Sequence, residues 1–294
     1  MRVQVCIPHY FKEHQDPGEN PNGYGSLRNG ARLARSIALS RCITSLLDCQ
    51  RQAETCLLNI SSQSIDHLPN SEAHLQIEIT ICTDGEHQLD DVLGLYKQRI
   101  QVVHLPLQNP RHLPLACRDH LIHNHGNADL LSYMEDDVVI HDKLFFDKQA
   151  WFHEKTNHQF SLMPHRYERV DAGSMETLIV DGPLSPAFIS RFSQPQKNVA
   201  KGQFRGTEFV SFDIASNPHS GTFTLSGAQA KLLQGEALPT EGFIGPLETA
   251  ATFTVLHRFP VMKPSLDCWT FLRVEHGHPS FLHYINKLPH QAGS

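Results

Sequence analysis

Residues 2–8, Arg-Val-Gln-Val-Cys-Ile-Pro, alternate polar and apolar side chains, the two-residue period of a strand with one buried face. Residues 16–30 are rich in Gly, Pro and Asn, which predicts a long loop after that strand. Over residues 31–50, Leu33, Ile37, Ile43, Leu46 and Leu47 recur roughly at helical spacing, predicting an amphipathic helix packed on the sheet with its arginines outward. A polar stretch over 61–71 leads to residues 75–82, a run rich in β-branched side chains that closes on Thr83-Asp84-Gly85. That is a second strand ending in a turn. Residues 90–98 read as a helix and 100–105 as a third strand, an alternation that predicts a mostly parallel sheet flanked by helices. Ligands of such sheets sit beyond the carboxyl ends of the strands.

A helix is expected over 114–124. Residues 129–134 then form a short apolar strand that runs directly into Glu135-Asp136-Asp137 and on to Val138-Val139-Ile140. Beyond Trp151 the pattern changes, with short strands over 160–163, 177–180 and 270–274 and a small helix near 228–233. No repeat of 20–50 residues interrupts the chain. One domain over 1–294 is expected, with a change of role near residue 150.

Composition narrows the classes. The 294 residues are 40% hydrophobic and 19% charged, which suits a packed globular protein. Against 25 basic residues stand 31 acidic ones, so there is no broad positive field to attract nucleic acid, although a small anion could still be held locally. Seven cysteines, odd in number and without a C-x-x-C pair, suggest neither a zinc ribbon nor a disulfide framework and fit a reducing cytosol. The first residues lack the charged and apolar regions of a signal peptide, and no stretch reaches about 18 consecutive apolar residues. A soluble, cytoplasmic protein without a transmembrane segment is expected. The 20 histidines are scattered and form no H-E-x-x-H motif.

The acidic run is the strongest chemical signal. Like charges at the end of an apolar strand raise one another's pKa unless a cation neutralises them. A bound divalent ion is the simplest remedy, and hard oxygen ligands in small number suit Mg²⁺ or Mn²⁺, which complete their shells with water and substrate phosphates.

Residues 116–122, Ala-Cys-Arg-Asp-His-Leu-Ile, followed by 128–137, Ala-Asp-Leu-Leu-Ser-Tyr-Met-Glu-Asp-Asp, resemble in type and spacing the A-R-N-x-G-I, strand and D-x-D region of family-2-like GT-A glycosyltransferases. Ile7-Pro8-His9-Tyr10 is similar to that family's opening strand and P-x-[YF] turn, and Thr83-Asp84-Gly85 to its D-D-G-S turn. The resemblance spans roughly residues 1–145. It departs at Glu135, where an Asp is usual, at Asp119, where an Asn is usual, and in the shortened T-D-G turn. It implies an α/β fold of the GT-A type, with a nucleotide-sugar-binding half over 1–145 and an acceptor-side half over 146–294. The activity implied is metal-dependent transfer of a sugar from a nucleotide-sugar donor to a sugar, lipid or small-molecule acceptor, with inversion.

Within that resemblance Asp137 and Glu135 bind metal, and Asp136 belongs to the donor-binding set. Arg118 reaches the nucleotide or its phosphates, or else forms an ion pair with the acidic run. Asp84 contacts the base or ribose, or caps its turn, and Pro8 and Tyr10 wall the base. Glu248, after the Gly/Pro-rich residues 242–246, is the candidate base for the acceptor hydroxyl, the alternative being a helix-start acid. Glu241 and Asp181 are its substitutes. His276 or His278 would complete the metal site as the C-terminal histidine of such enzymes does, unless both are surface residues. Residues 217–229 resemble an acceptor-side segment. A sugar nucleotidyltransferase would carry a Gly-rich basic loop where Pro8-His9-Tyr10-Phe11-Lys12 stands, and a non-catalytic Ca²⁺-binding protein would carry a D-x-[DN]-x-[DN]-G loop. The chain has neither.

Overall fold

The protein's computed structural model describes residues 1–13, 30–52, 54–69, 72–124, 126–169 and 177–290. The loop expected over 16–30 lies, except for Gly30, outside the described residues. In chain order, β1 (Arg2–Pro8), α1 (Arg32–Cys49), β2 (Thr55–Asn59), β3 (Ser64–Leu68), β4 (Gln76–Thr83), α2 (Asp90–Leu95), β5 (Gln101–His104), α3 (Leu113–His123), β6 (Leu130–Met134) and β7 (Val138–Val139) make up the first half. The rest holds α4 (Phe145–Lys155), β8 (Ser161–Leu162), β9 (His165–Arg169), β10 (Thr177–Ile179), α5 (Pro186–Ile189), β11 (Gln196–Phe204), β12 (Glu208–Ile214), β13 (Thr222–Ser226), α6 (Gly227–Gln234), β14 (Val261–Pro264) and β15 (Arg273–His276).

The central sheet has the order β13-β6-β1-β4-β5. β1 runs parallel to both β4 and β6, β4 runs parallel to β5, and β13 alone is antiparallel, against β6. The expected mostly parallel α/β sheet is what forms, and a strand from the second half of the chain completes it. Strand alternation divides its two faces. Val3, Val5 and Ile7 pack with Leu39, Cys42, Ile43 and Leu46 of α1, while Cys6, on the opposite face, packs with Cys117 and Leu121 of α3. Both faces are covered, as a parallel sheet requires.

Two smaller sheets, β10-β9-β15-β7 and β11-β12-β14-β8, lie beside the central one. The chain leaves the central sheet at Met134 and joins the β9–β15 sheet at Val138. Residues 135–137 are therefore a turn at the seam between two sheets. The turn is fixed from both sides, since Glu135 N–H donates to Gly221 O at 2.9 Å and Gly277 N–H donates to Asp137 O.

The structure corrects several expectations. α1 is helical where expected, but its buried face carries Arg35, Leu39, Cys42, Ile43 and Leu46, whereas Leu33 is 71% exposed and Ile37 51%. The apolar residues that match the helical period run through Leu39 and Cys42, so an arginine lies on the inner face. Residues 61–68 of the polar stretch form, with the residues before them, the β2–β3 hairpin. The strand expected over 270–274 begins at Arg273, because residues 266–271 are wound into a 3₁₀ helix. Alternation cannot locate the bend at 135–137, and it also misses the β11–β12 hairpin, whose strands are largely exposed on the β11 side.

Among the described residues, no helix is long and apolar enough to cross a membrane. The seam depends on close approach at Gly277, where an added Cβ would lie 2.9 Å from both Asp137 O and Val139 Cγ2. Gly277→Ala is expected to cost about 1–3 kcal/mol through this overpacking, read as a lower urea midpoint. An unchanged midpoint would show that the seam yields freely.

Candidate active site

The carboxyl ends of β1, β4 and β6 converge on one edge of the central sheet. They deliver His9 and Tyr10, Asp84, and the turn Glu135-Asp136-Asp137. The three acids of the turn are buried, at 7–8% exposure. Each finds a different partner.

Asp136 Oδ2 lies 2.7 Å from His9 Nδ1, while His9 Nε2 accepts from Leu89 N–H at 3.1 Å. That second bond assigns the proton of a neutral His9 to Nδ1, which donates to Asp136. Arg35 bridges the turn, one guanidinium nitrogen on Asp136 Oδ1 and Nη1 at 2.9 Å from Asp137 Oδ2. Burial alone would raise both aspartates; Arg35 with His9 outweighs it at Asp136, and His276 with Arg35 at Asp137, so both are held below the ordinary carboxylate range. Glu135 fares differently. Arg166 Nη1 stands 3.6 Å from its Oε2 and is also tied to Asp181, at 2.9 Å from Nη2. Burial wins over Arg166, and the neighbouring Asp137 and Glu248 add to it, so Glu135 is pushed up to about 8. Its proton is held more tightly than that of an ordinary carboxylic acid.

His276 reaches the turn from β15. Its Nδ1 lies 2.7 Å from Glu168 Oε1, and Glu168 also accepts the backbone N–H groups of Ser280 at 2.7 Å and Phe281 at 3.0 Å. Glu168 thus fixes Nδ1 as the donor and aims Nε2 at Asp137 Oδ2, 3.5 Å away. Burial opposes the imidazolium, but the bonds to Asp137 and Glu168 prevail and raise His276 to about 9.

The fit to a divalent ion can be judged from these groups. Asp137 Oδ1 and Glu135 Oε1 are buried without a hydrogen-bond partner, and a carboxylate-oriented histidine with its Nε2 facing an aspartate is the arrangement found at metal-binding histidines. Among the described residues no group of three His, Cys, Asp or Glu side chains closes into a metal site, so the expected set of Glu135, Asp137, His276 and His278 is not assembled as a shell. Glu135 turns toward Arg166, and His278 lies beyond β15 with intermediate exposure. The pair Asp137 and His276 fits an ion that takes its remaining ligands from phosphate and water.

At the β4 end, Asp84 Oδ1 accepts the N–H groups of Glu86 at 3.0 Å and His87 at 2.8 Å, and its Oδ2 meets His87 Nδ1 at 2.7 Å. The carboxylate caps its own turn and positions His87, whose ring lies 5.1 Å from that of Tyr10. Pro8 closes the buried end of β1 against Cys82. Asp84, Tyr10 and Pro8 are therefore close together.

Arg118 is elsewhere. Fully buried on α3, it bonds Asp119 Oδ1 at 2.8 Å, Pro239 O at 2.6 Å and Thr254 Oγ1 at 3.2 Å. The ion pair with the acidic run, one of the two roles expected for it, is not formed. It lies on the inner face of its helix and clamps α3 to the helical stretch 246–256.

That stretch carries Glu248. Pro246–Glu248 is a single turn, continued by a π-helical segment Thr249–Phe253, a form of helix that recurs at functional sites. Glu248 is half-buried, and its carboxylate has no hydrogen bond or ion pair among the described residues, yet its charge is felt at Glu135. Of its substitutes, Asp181 is committed to Arg166 and held low, burial notwithstanding, and Glu241 is exposed.

Sequence reasoning missed His9, Arg35, Arg166, Glu168 and His219. Arg35 was legible from the 35-39-42-46 face of α1. Arg166 and Glu168 share one face of β9 by alternation, but nothing in the sequence says that this face meets the acidic turn. His219, inside the 217–229 segment, is buried with Nδ1 at 2.8 Å from Thr252 Oγ1. Burial first, then Arg166, lower it to about 3 and keep it neutral. Two residues on, Gly221 adopts φ +68°, and a Cβ there would stand 2.9 Å from Glu135 Oε2.

No family model matches the chain, and no curated protein matches it. Solved structures do. S. aureus TarS 1-349 is similar over 90% of this chain and 58% of its own, with 13% identity and a TM-score of 0.43. The same fragment in complex with UDP gives 14% identity, 90% and 57% coverage and a TM-score of 0.43. GalNAc-T7 with UDP, GalNAc and Mn²⁺ gives 11% identity, 96% and 45% coverage and a TM-score of 0.47. These neighbours are glycosyltransferases. The chain spans about half the length of the solved chains it matches.

The raised proton affinity of Glu135 has a pH signature. Its pKa rises from an ordinary 4.5 to about 8 on folding, so the stabilisation from its proton is complete below the unfolded value and is lost as pH rises through the folded one. In EDTA, the stability of the wild type relative to Glu135→Gln is expected to fall across that window, by up to about 1.4 kcal/mol per pH unit. Urea midpoints of the two proteins across the same window provide the check. A difference that is flat or rises with pH would mean that Glu135 is ionised in the folded protein.

Proposed function

We propose that the protein is a GT-A-type glycosyltransferase that moves a sugar from a nucleotide-sugar donor to a hydroxyl-bearing acceptor with inversion. The observation that carries this reading is the aimed Asp137–His276–Glu168 relay standing near an unpaired, half-buried Glu248 at the carboxyl ends of the parallel strands. Asp137 and His276 would hold Mn²⁺ or Mg²⁺, whose contribution when bound is Lewis-acid charge against the leaving diphosphate.

The protein's own groups supply the rest. Asp84, Tyr10, His87 and Pro8 offer a rimmed surface for a nucleoside at the ends of β1 and β4. Asp136, fixed by Arg35 and His9, holds the turn rigid beside it. Glu248 accepts the proton of the acceptor hydroxyl; that oxygen attacks the anomeric carbon as its bond to the diphosphate oxygen breaks, and the electron pair leaves on the diphosphate. When it carries its proton, Glu135 can donate to a sugar hydroxyl without adding charge near the reacting carbon. The acceptor is a sugar, a lipid or a small molecule with one free hydroxyl in reach of Glu248.

Glu248→Gln keeps the size of the side chain and removes its proton acceptance. Transfer should fall about 10²-fold or more with donor affinity nearly unchanged. Turnover near the wild-type level would remove Glu248 from the chemistry and leave it as a helix-start acid. Asp137→Ala should abolish the Mn²⁺-dependent part of nucleoside diphosphate affinity in calorimetry while the protein stays folded. Unchanged affinity in Mn²⁺ would overturn the metal assignment.

A further inference from the structure

On β15, His276 faces the acidic turn, and by strand alternation its neighbour Glu275 faces the other way. Glu275 is buried, and three cationic or proton-bearing side chains converge on it. Arg41 Nη2 lies 2.7 Å from its Oε1, while His141 Nε2 at 2.6 Å and Arg169 Nε at 3.1 Å share its Oε2. One carboxylate is thus surrounded by more positive charge than it can neutralise. Beside this cluster opens a cavity of about 330 Å³, lined by Ser40, Arg41, Thr44 and Asp48 of α1 and by His141 and Lys143 of the segment after β7.

The floor of the cavity is apolar, formed by Cys49, Val139 and Ile140, and the charged groups at its rim are mainly basic. Arg41 spends one guanidinium nitrogen on Glu275 and is 37% exposed at its side chain, so its other donors remain available. The Lys143 side chain is exposed and has no ion pair among the described residues. The hydroxyls of Ser40 and Thr44 add donors on the helix side, Thr44 already within 2.9 Å of Tyr96 Oη. Asp48 is the one carboxylate in the lining. A guanidinium, an ammonium and an imidazole around one small cavity suit a phosphate group, which accepts several charge-assisted hydrogen bonds at once.

We propose that this cavity, between α1 and the end of β7 with the segment that follows it, is a second anion site that takes a phosphate group. Its occupant is a phosphate carried by a soluble ester or by a lipid headgroup, and it is distinct from any diphosphate bound at the acidic turn. The site does not depend on the glycosyltransferase reading. Arg41 lies on the same helix as Arg35, and Glu275 precedes His276 directly, so an occupant that draws Arg41 from Glu275 acts next to the residues that hold Asp137.

Calorimetry with inorganic phosphate and inorganic diphosphate on the full chain in EDTA tests it. The wild type should bind with one site, Lys143→Glu should bind at least about tenfold more weakly, and Asp137→Ala should bind as the wild type does. Lys143→Ala, less perturbing at an exposed position, guards against loss through misfolding and should weaken binding in the same direction. Co-sedimentation with phosphatidylcholine vesicles containing phosphatidic acid separates the sources: retention that Lys143→Glu abolishes assigns a lipid headgroup, and phosphate binding without retention assigns a soluble ester. Binding that survives Lys143→Glu and vanishes in Asp137→Ala would place the anion at the acidic turn and overturn the proposal, as would no binding at all.

Discussion

Three consecutive carboxylates are buried where two sheets meet, and everything around them is arranged to make that tolerable. Unpaired, each would cost several kcal/mol of desolvation. The protein answers with Arg35 across Asp136 and Asp137, with His276 beside Asp137, with Arg166 shared between Glu135 and Asp181, and with a raised proton affinity at Glu135 itself. Arg35, Arg166 and His276 thereby stand against Asp136, Asp137, Glu168 and Asp181, and the buried Lys263 of β14 adds positive charge at Asp181. The clustering of acids does not by itself demand a metal. What points to one is finer: an oxygen of Asp137 with no partner, and a histidine whose Nε2 is aimed at that aspartate by a buried glutamate.

This compensation explains why the site draws on so much of the chain. Arg35 comes from the first helix, His9 from the end of the first strand, Arg166 and Glu168 from β9, and His276 from the last strand. Long-range strand pairings set these positions. β15 pairs with both β7 and β9, which fixes His276 opposite Val138 and so next to the turn. Gly277 lets the end of its strand approach the Asp137 carbonyl and Val139, and Gly221 leaves room for the Glu135 side chain. Glu248 stays outside these ion pairs, which is what the role proposed for it requires: a carboxylate already claimed, as Asp181 is by Arg166, would surrender its basicity.

The first half of the fold was readable because its strands are central and parallel, so their apolar runs are long and end at clear turns. The acidic run, Asp84, Tyr10 and Pro8 fell together because all sit at carboxyl ends of such strands. The second half was readable only in fragments. Its strands are short, several are exposed on one side, and their partners are far away in sequence; alternation names a face without saying what it meets. Arg118 illustrates the limit. Its spacing from the acidic run matches the family it resembles, yet the side chain lies on the buried face of α3 and clamps Pro239 and Thr254. Arg35 shows the reverse error, an arginine assigned to the outer face because Leu33 and Ile37 were counted as the apolar stripe, when that stripe runs through Leu39 and Cys42.

The central claim is that the acidic turn works on a nucleotide-sugar through a divalent ion. The most direct measurement is a screen of UDP-, GDP- and dTDP-sugars for hydrolysis by the purified protein, with Mn²⁺, with Mg²⁺ and with EDTA. The account predicts that nucleoside diphosphate is released from one class of donor when metal is present and that EDTA abolishes the release. No consumption of any donor, or consumption indifferent to EDTA, would contradict it.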